Sequence, residues 1–509
     1  MATACKDWAQ SSCAPSKAAR APSSDCRSTN SNACSQRSAW KPGVFAAPGG
    51  SAAETARARS WSRERTRTRG QAVAKQLPTR SSVAGPRRVT GRLLIEDRGC
   101  DARVALLHGA PDGRDGLGEA VVEVQIERAD AASLVGSIRR GRVRRVVPGL
   151  KAAFVELGLE RPGMLHARET PMAGRAIADA LHVGEYVLVQ VIRDPVRDKG
   201  ARLSMRPTLP GRCLALLPGQ DRLAISQRIG DADEQRRLRA LTQRARESLG
   251  TPHGCIIRSA ALGARGDAIE AELGHLLSLW ADVEEARGRV RVGEVLHQDL
   301  PLPLRAVRDL APNEGAVTVN EPSTFGQIQR YMRQHAPELA SRLSLHEGPR
   351  PLFEAAAVER AIDAALEPRV ALPCGGHIVI EATEAMTTVD VNSGAFAVAG
   401  DDDVARVNRE AAEALSRELR RRNVGGIVVI DFVEMPSRRH RREVLDALRA
   451  GLADDPAATR VSGMSPLGLV ELSRRRRGPS LAEQLERRCP VCHGKGRRRT
   501  DAAVGGAAP

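Results

Sequence analysis

Residues 376–396 read GHIVIEATEAMTTVDVNSGAF, and residues 425–431 answer with GGIVVID. Each is a run of β-branched and apolar residues ending at an aspartate, the pattern of a buried strand that delivers a carboxylate at its end. Between them Val404, Val407, Ala411, Leu415 and Leu419 recur at helical spacing, so the unit reads as strand, crossover helix and strand. Strands joined in this way set Asp390 and Asp431 at one edge of one sheet. Asn392 lies two residues beyond Asp390 and therefore on the same strand face. Two carboxylates and an amide oxygen are ligands that a hard cation such as magnesium prefers. Either aspartate taken singly is as well explained by a turn cap or by half of an ion pair.

The longer string MTTVDVNSGAF, followed by NREAAEALSRELRRRNVGGIVVIDF, resembles the catalytic core of the ribonuclease E/G family of bacterial endoribonucleases. The resemblance implies that Asp390, Asp431 and Asn392 are the catalytic residues, with Asp390 and Asp431 holding magnesium. It covers roughly residues 92–496 and implies a multidomain α/β and β fold. A degenerate ribonuclease H-like subdomain (91–123 and 303–365) would be interrupted by an oligonucleotide-binding barrel of the ribosomal S-one type (124–205). A 5′-phosphate sensor (206–302) would follow the barrel. A deoxyribonuclease I-like catalytic subdomain (366–488), a CxxC zinc link (489–496) and a tail (497–509) would complete the chain.

Composition agrees with a polyanionic partner. The chain has 509 residues, too many for one core, and a formal charge of +17. Aromatic residues make up 2% of it, which excludes extensive base stacking and favours contacts to the RNA backbone. Ten cysteines are present and only Cys489 and Cys492 stand at metal-ligand spacing, so a reduced compartment is expected. No apolar run approaches a membrane span and no signal-peptide core opens the chain, so a soluble, intracellular protein with no membrane partner is expected, and the resemblance implies the bacterial cytoplasm.

Residues 1–90 are rich in Ser, Ala and Arg and poor in acids, and they lack the apolar periodicity of a folded domain. They read as a disordered tail, with a transit peptide, a basic arm for RNA and a start-site artefact all compatible; only the first would imply import into an organelle. RLLIED, RVALLHG and AVVEVQIER then suggest a small antiparallel sheet, and five or so short strands to residue 205 suggest a closed barrel, any small type fitting the spacing. By resemblance, Phe154 and Lys199 line the barrel's RNA path, with Met164 in place of a second aromatic. Arg228, Arg258 and Ser259 are the expected RNA-binding residues of the sensor, where Gln227 replaces an arginine. The run Arg474–Arg477 is expected to grip substrate phosphates, and Ala458 and Pro466 stand where the family often has arginine.

The resemblance further implies that Cys489 and Cys492 of two chains share one zinc ion, giving a homodimer. It implies a magnesium-dependent endoribonuclease acting on single-stranded RNA in messenger decay and ribosomal or transfer RNA processing. The products would carry 5′-phosphate and 3′-hydroxyl ends, and substrates with a 5′-monophosphate would be preferred. The rival reading is an RNA-binding protein of the same descent without turnover.

Overall fold

Four sheets and the helices packed on them are built by residues 91–109, 119–195, 199–396, 399–487, 489–492, 494 and 496, which a computed structural model describes. The expected tails at 1–90 and 497–509 lie outside the described residues.

The first sheet has five strands, in the order Leu343–Leu345, Ala316–Val319, Gly91–Asp97, Asp101–His108 and Ala120–Arg128. The last three are antiparallel neighbours, as their short apolar runs suggest, and the first two add to them in parallel. Leu93, Ile95, Val104 and Val317 are fully buried on one face under the helices Leu302–Leu310 and Pro322–His335. Leu94, Ala105 and Leu107 are buried on the other face with Phe353. The boundary expected between residues 123 and 124 falls inside a strand, because Ala120–Arg128 pairs along Asp101–His108 and belongs wholly to this sheet.

The barrel begins at Ile138. Its strands Ile138–Val147, Ala152–Glu156, Gly163–His166, Arg202–Ser204 and Tyr186–Arg193 form a continuous series, closed by pairing of the last with the first. Alternation along them sends Val143, Val155, Leu165, Val189 and Leu203 inward and leaves Arg140, Arg142, Arg144 and Arg145 outside, while Arg139 is buried and donates to the Gly293 carbonyl. The strand Val295–His297, from the far end of the expected sensor, adds to the barrel's edge.

Between barrel and first sheet lies a four-stranded sheet with the helices Ala232–Ser248 and Gly266–Ala286. Leu214, Leu216, Ile257, Leu238, Leu273 and Leu276 make its core.

The fourth sheet has six strands, in the order Arg369–Ala371, His377–Ala382, Thr387–Asn392, Gly426–Asp431, Leu469–Arg474 and Thr459–Met464. Only Thr387–Asn392 and Gly426–Asp431 run parallel, and the helix Asp401–Arg421 connects them, as the periodicity of Val404 to Leu419 predicts. Three aspartates in its first turn and Arg420 and Arg421 in its last complement the helix dipole. Val407, Ala411, Leu415 and Leu419 press on Ile378, Val389, Val428 and Ile430, with the helix Arg438–Gly451 beside them. One face of this sheet is thereby covered, while Asp390, Ile427, Asp431 and Glu471 on the other are exposed.

Candidate active site

The parallel register pairs Thr387 with Val428, Val389 with Ile430 and Asp390 with Asp431. Direct partners on adjacent strands lie about 4.8 Å apart and point to the same face, so the two carboxylates stand side by side on the open face. Apolar neighbours hold them there: Val389, Val391 and Ile430 are buried on the helix side, which forces the aspartates outward. Asn392 donates from Nδ2 to Asp390 Oδ2 at 2.8 Å, so the three expected residues form one constellation. Its amide can also turn its oxygen toward the same point. Among the described residues, neither carboxylate meets a basic side chain within salt-bridge range, although the chain is strongly cationic.

Two supports of this site do not announce themselves in the sequence. The Asn408 side chain, fully buried on the crossover helix, donates to the Val433 carbonyl at 2.8 Å and accepts from the Val433 N–H at 3.0 Å. It thus clamps the backbone two residues beyond Asp431. Gly376 faces the end of the Asp390 strand, where a Cβ would meet the Asn392 carbonyl oxygen at 2.7 Å. An Asn in a helix reads as an ordinary polar residue unless the loop it faces is known.

The arginine run divides between buried and surface positions. Arg474 is buried: Nε and Nη2 donate to Asp455 at 2.7 and 3.0 Å, and Nη1 donates to the Val424 carbonyl at 2.6 Å. It alternates inward with Val470 and Leu472, so the expectation that it grips phosphate is corrected. Arg477 lies 3.3 Å from Glu123, which also accepts from Arg420 at 3.0 Å. Burial opposes charge on Glu123, but Arg477 and Arg420 prevail and lower its pKa. Arg475 and Arg476 remain at the surface, with Arg476 3.8 Å from Glu483. Ala458 and Pro466 are both exposed on this side of the molecule.

In the expected sensor, Leu223–Ile225 pairs in parallel with Gly254–Ile257, so the segments carrying Arg228 and Arg258–Ser259 leave adjacent strand ends. Their side chains differ in circumstance. Arg258 donates to Asp309 at 2.7 Å and to the Gly211 carbonyl, so its guanidinium is already engaged. Burial works against the Asp309 charge, but Arg308 and then Arg258 hold its pKa down at about 2. Arg228 keeps a path to solvent, yet enough protein surrounds it that desolvation, followed by the charges of Arg420 and Arg477, lowers its pKa. Gln227 is exposed beside it and Ser259 is half-buried at the start of a short helical turn.

On the barrel, Phe154 is half-buried on the outer face, directly opposite Met164, with the Arg145 guanidinium 5.1 Å from its ring centre. Lys199 is exposed and precedes Gly200, which lies against the Pro162 backbone. Cys489 is exposed and Cys492 half-buried. Among the described residues no group of three or more His, Cys, Asp or Glu could hold a metal ion. His493, which follows Cys492 in the CPVCH sequence, lies outside the described residues.

The model of the Ribonuclease E/G family matches residues 208–477, which contain the whole of the Asp390, Asn392 and Asp431 constellation. The chain belongs to the ribonuclease E/G family. It is 37% identical to Ribonuclease G of Escherichia coli strain K12 and 36% identical to Ribonuclease G of Salmonella typhimurium, in each case over 81% of this chain and 85% of the relative. Similarity to Ribonuclease E of Haemophilus influenzae is 34% over 76% of this chain but covers 43% of that longer protein. Family membership thus extends over the barrel and the sensor as well as the sheet that carries the aspartates.

Proposed function

We propose that the chain is a magnesium-dependent endoribonuclease that cuts single-stranded RNA and leaves 5′-phosphate and 3′-hydroxyl ends. Membership of a family of ribonucleases makes it an endoribonuclease, a hydrolase acting on RNA. The observation that carries the metal is the direct strand pairing of Asp390 with Asp431 on an open sheet face, joined by Asn392. Two like charges held side by side without a cationic side chain repel one another, and a divalent ion removes that cost. Oxygen donors of this kind suit magnesium better than zinc. Asp390 and Asp431 would hold the ion, and Asn392 would orient Asp390 and the water beside it. A bound magnesium there lowers the pKa of a water and offsets charge on the scissile phosphate. Asn408 keeps Asp431 in place through Val433.

In this reading the five-stranded sheet is the degenerate ribonuclease H-like subdomain, and the six-stranded mixed sheet is the deoxyribonuclease I-like catalytic subdomain. The barrel holds single-stranded RNA through Phe154 and Lys199. Arg228, Arg258 and Ser259 read a 5′-monophosphate, and because Asp309 already occupies Arg258 the preference for that end is modest. Cys489 and Cys492 complete a tetrahedral zinc site with the same pair of a second chain, which makes a homodimer. Bacterial relatives favour a bacterial cytoplasm, with messenger and stable RNA precursors as substrates. The test is a single gel. A fluorescent single-stranded RNA with a 5′-monophosphate or a 5′-hydroxyl is incubated with the protein, with and without magnesium. Cleavage that requires magnesium and runs somewhat faster on the monophosphate is expected; intact RNA in every lane would overturn the reading.

A further inference from the structure

The barrel's registers compose a line that no single strand reveals. Arg145 pairs with Phe154, Phe154 with Met164, Met164 with Arg202, and Arg202 with Arg193, each on the next strand in turn. Direct partners share a face, so five side chains follow one another round the outside of the closed barrel, along an arc of about 19 Å at ~4.8 Å per strand. Arginines stand at one end and, doubled, at the other, with an aromatic and a thioether between them. Their charges are not neutralised: among the described residues Arg145, Arg193 and Arg202 meet no carboxylate within salt-bridge range, whereas neighbouring Arg144 is paired with Glu156 at 2.8 Å.

The row also has a direction. Beyond Arg193 comes Arg476, close enough that its charge, after burial and together with Arg202, lowers the Arg193 pKa. Arg476 lies over the start of the strand that ends at Asp431. A Cβ on Gly425 would meet the Arg476 Cα at 2.8 Å, and one on Gly426 would lie 3.5 Å from its Nη2. From Gly426 to Asp431 the strand covers about 17 Å at ~3.3 Å per residue. Three guanidiniums clustered at a junction of subdomains repel one another; Glu483, 3.8 Å from Arg476 and also acting on Arg193, offsets part of that charge, and a polyanion can supply the rest.

We propose that Arg193, Arg202 and Arg476 form a phosphate-binding bridge that leads single-stranded RNA from the Phe154–Met164 surface of the barrel to the strand carrying Asp431. The inference rests on the reading of the chain as a ribonuclease and adds to it three binding residues and a path. Phosphates of consecutive nucleotides meet the guanidiniums while one base lies on Phe154, so the bridge contributes charge contacts without reading sequence. The combined length of barrel row and strand requires an RNA longer than a few nucleotides to span from Phe154 to the carboxylates.

The test uses the full-length protein and a fluorescein-labelled oligouridylate of about 16 nucleotides, a length at the upper end of what one such barrel covers. Affinity is measured by anisotropy without magnesium at several salt concentrations. Each lost phosphate contact lowers the slope of log K against log salt by about 0.7 for a single strand, so R193A/R202A should lower it by about 1.4 and R476A by about 0.7. R289A, which removes an exposed arginine paired with Glu285 in the turn after the helix Gly266–Ala286 and outside the row, serves as the control for charge alone and should leave the slope unchanged. With magnesium, the bridge variants should raise KM on this RNA with little change in kcat. Wild-type cleavage together with unaltered slopes in R193A/R202A and R476A would overturn the bridge and leave the ribonuclease reading standing. Absence of wild-type cleavage would overturn the ribonuclease reading itself. Equal loss of slope in R289A would show that net charge and not this row is responsible, and would likewise overturn the bridge.

Discussion

Replacing Arg474 by alanine separates this buried arginine from the surface arginines that follow it. The side chain is 1% exposed and its partner Asp455 2%, with two parallel hydrogen bonds between them and a third from Arg474 to the Val424 carbonyl. Deleting it leaves a carboxylate buried without its cation, which costs about 3–5 kcal/mol. With ~2.1 cal/mol/K of unfolding entropy per residue over about 400 folded residues, each kcal/mol lowers the melting temperature by ~1 °C, so a fall of about 4–6 °C is expected. Calorimetry or thermal unfolding followed by circular dichroism measures it. The companion variant R474M/D455L, which removes both charges and keeps apolar volume, should recover most of the loss. RNA affinity of folded R474A, measured well below its transition, should match the unmutated protein. Weakened RNA binding with an unchanged melting temperature would refute this assignment and restore Arg474 to the substrate path.

Three other outcomes follow from individual contacts. Asn408→Ala strips Val433 of both side-chain hydrogen bonds and should lower kcat about tenfold with KM little changed, whereas equal effects on both constants would point to a general loss of fold. His108 is held neutral: burial, reinforced by Arg420 against the weaker pull of Asp454 and Glu123, pushes its pKa from 6.5 down to about 4. Between those values the unfolded chain takes a proton that the folded one refuses, so stability should fall as pH drops from 6.5 to 4, and His108→Gln should flatten that fall in a series of melting curves. Cys489→Ser should abolish both zinc content and dimerisation, checked by metal analysis and light scattering; a dimer that persists without zinc would refute the shared site.

The sequence displays elements more readily than partnerships. GGIVVID is legible as a strand because its β-branched run and terminal aspartate are local features, and the helix before it is legible from Val404, Val407, Ala411, Leu415 and Leu419, whereas the single run read over 376–396 is the antiparallel pair His377–Ala382 and Thr387–Asn392, with Asp390 on the second. The exact pairing of Asp390 with Asp431 is a register, which the sequence bounds only to one sheet edge. Arg474 looks like three neighbouring arginines until strand alternation turns it inward, and its partner Asp455 belongs to the other side of a hairpin. Arg258 meets Asp309, 51 residues away, on a helix that no local pattern connects to it. The barrel row is hidden for the same reason: Arg145, Phe154, Met164, Arg202 and Arg193 come from five strands, and only their hydrogen-bonded order makes them neighbours. The strand Ala120–Arg128 shows the converse, since its apolar alternation marks a strand without saying which sheet receives it.

The central claim is that Asp390 and Asp431 together hold the ion that cuts RNA. Its most direct test is Asp390→Asn, which keeps size and hydrogen bonding to Asn392 while removing one charge. Single-turnover cleavage of a labelled single-stranded RNA in magnesium should slow by roughly 10²–10⁴, the range for loss of one electrostatic group at a reacting centre, with RNA affinity and melting temperature close to those of the unmutated protein. Cleavage by Asp390→Asn at the unmutated rate would contradict the account.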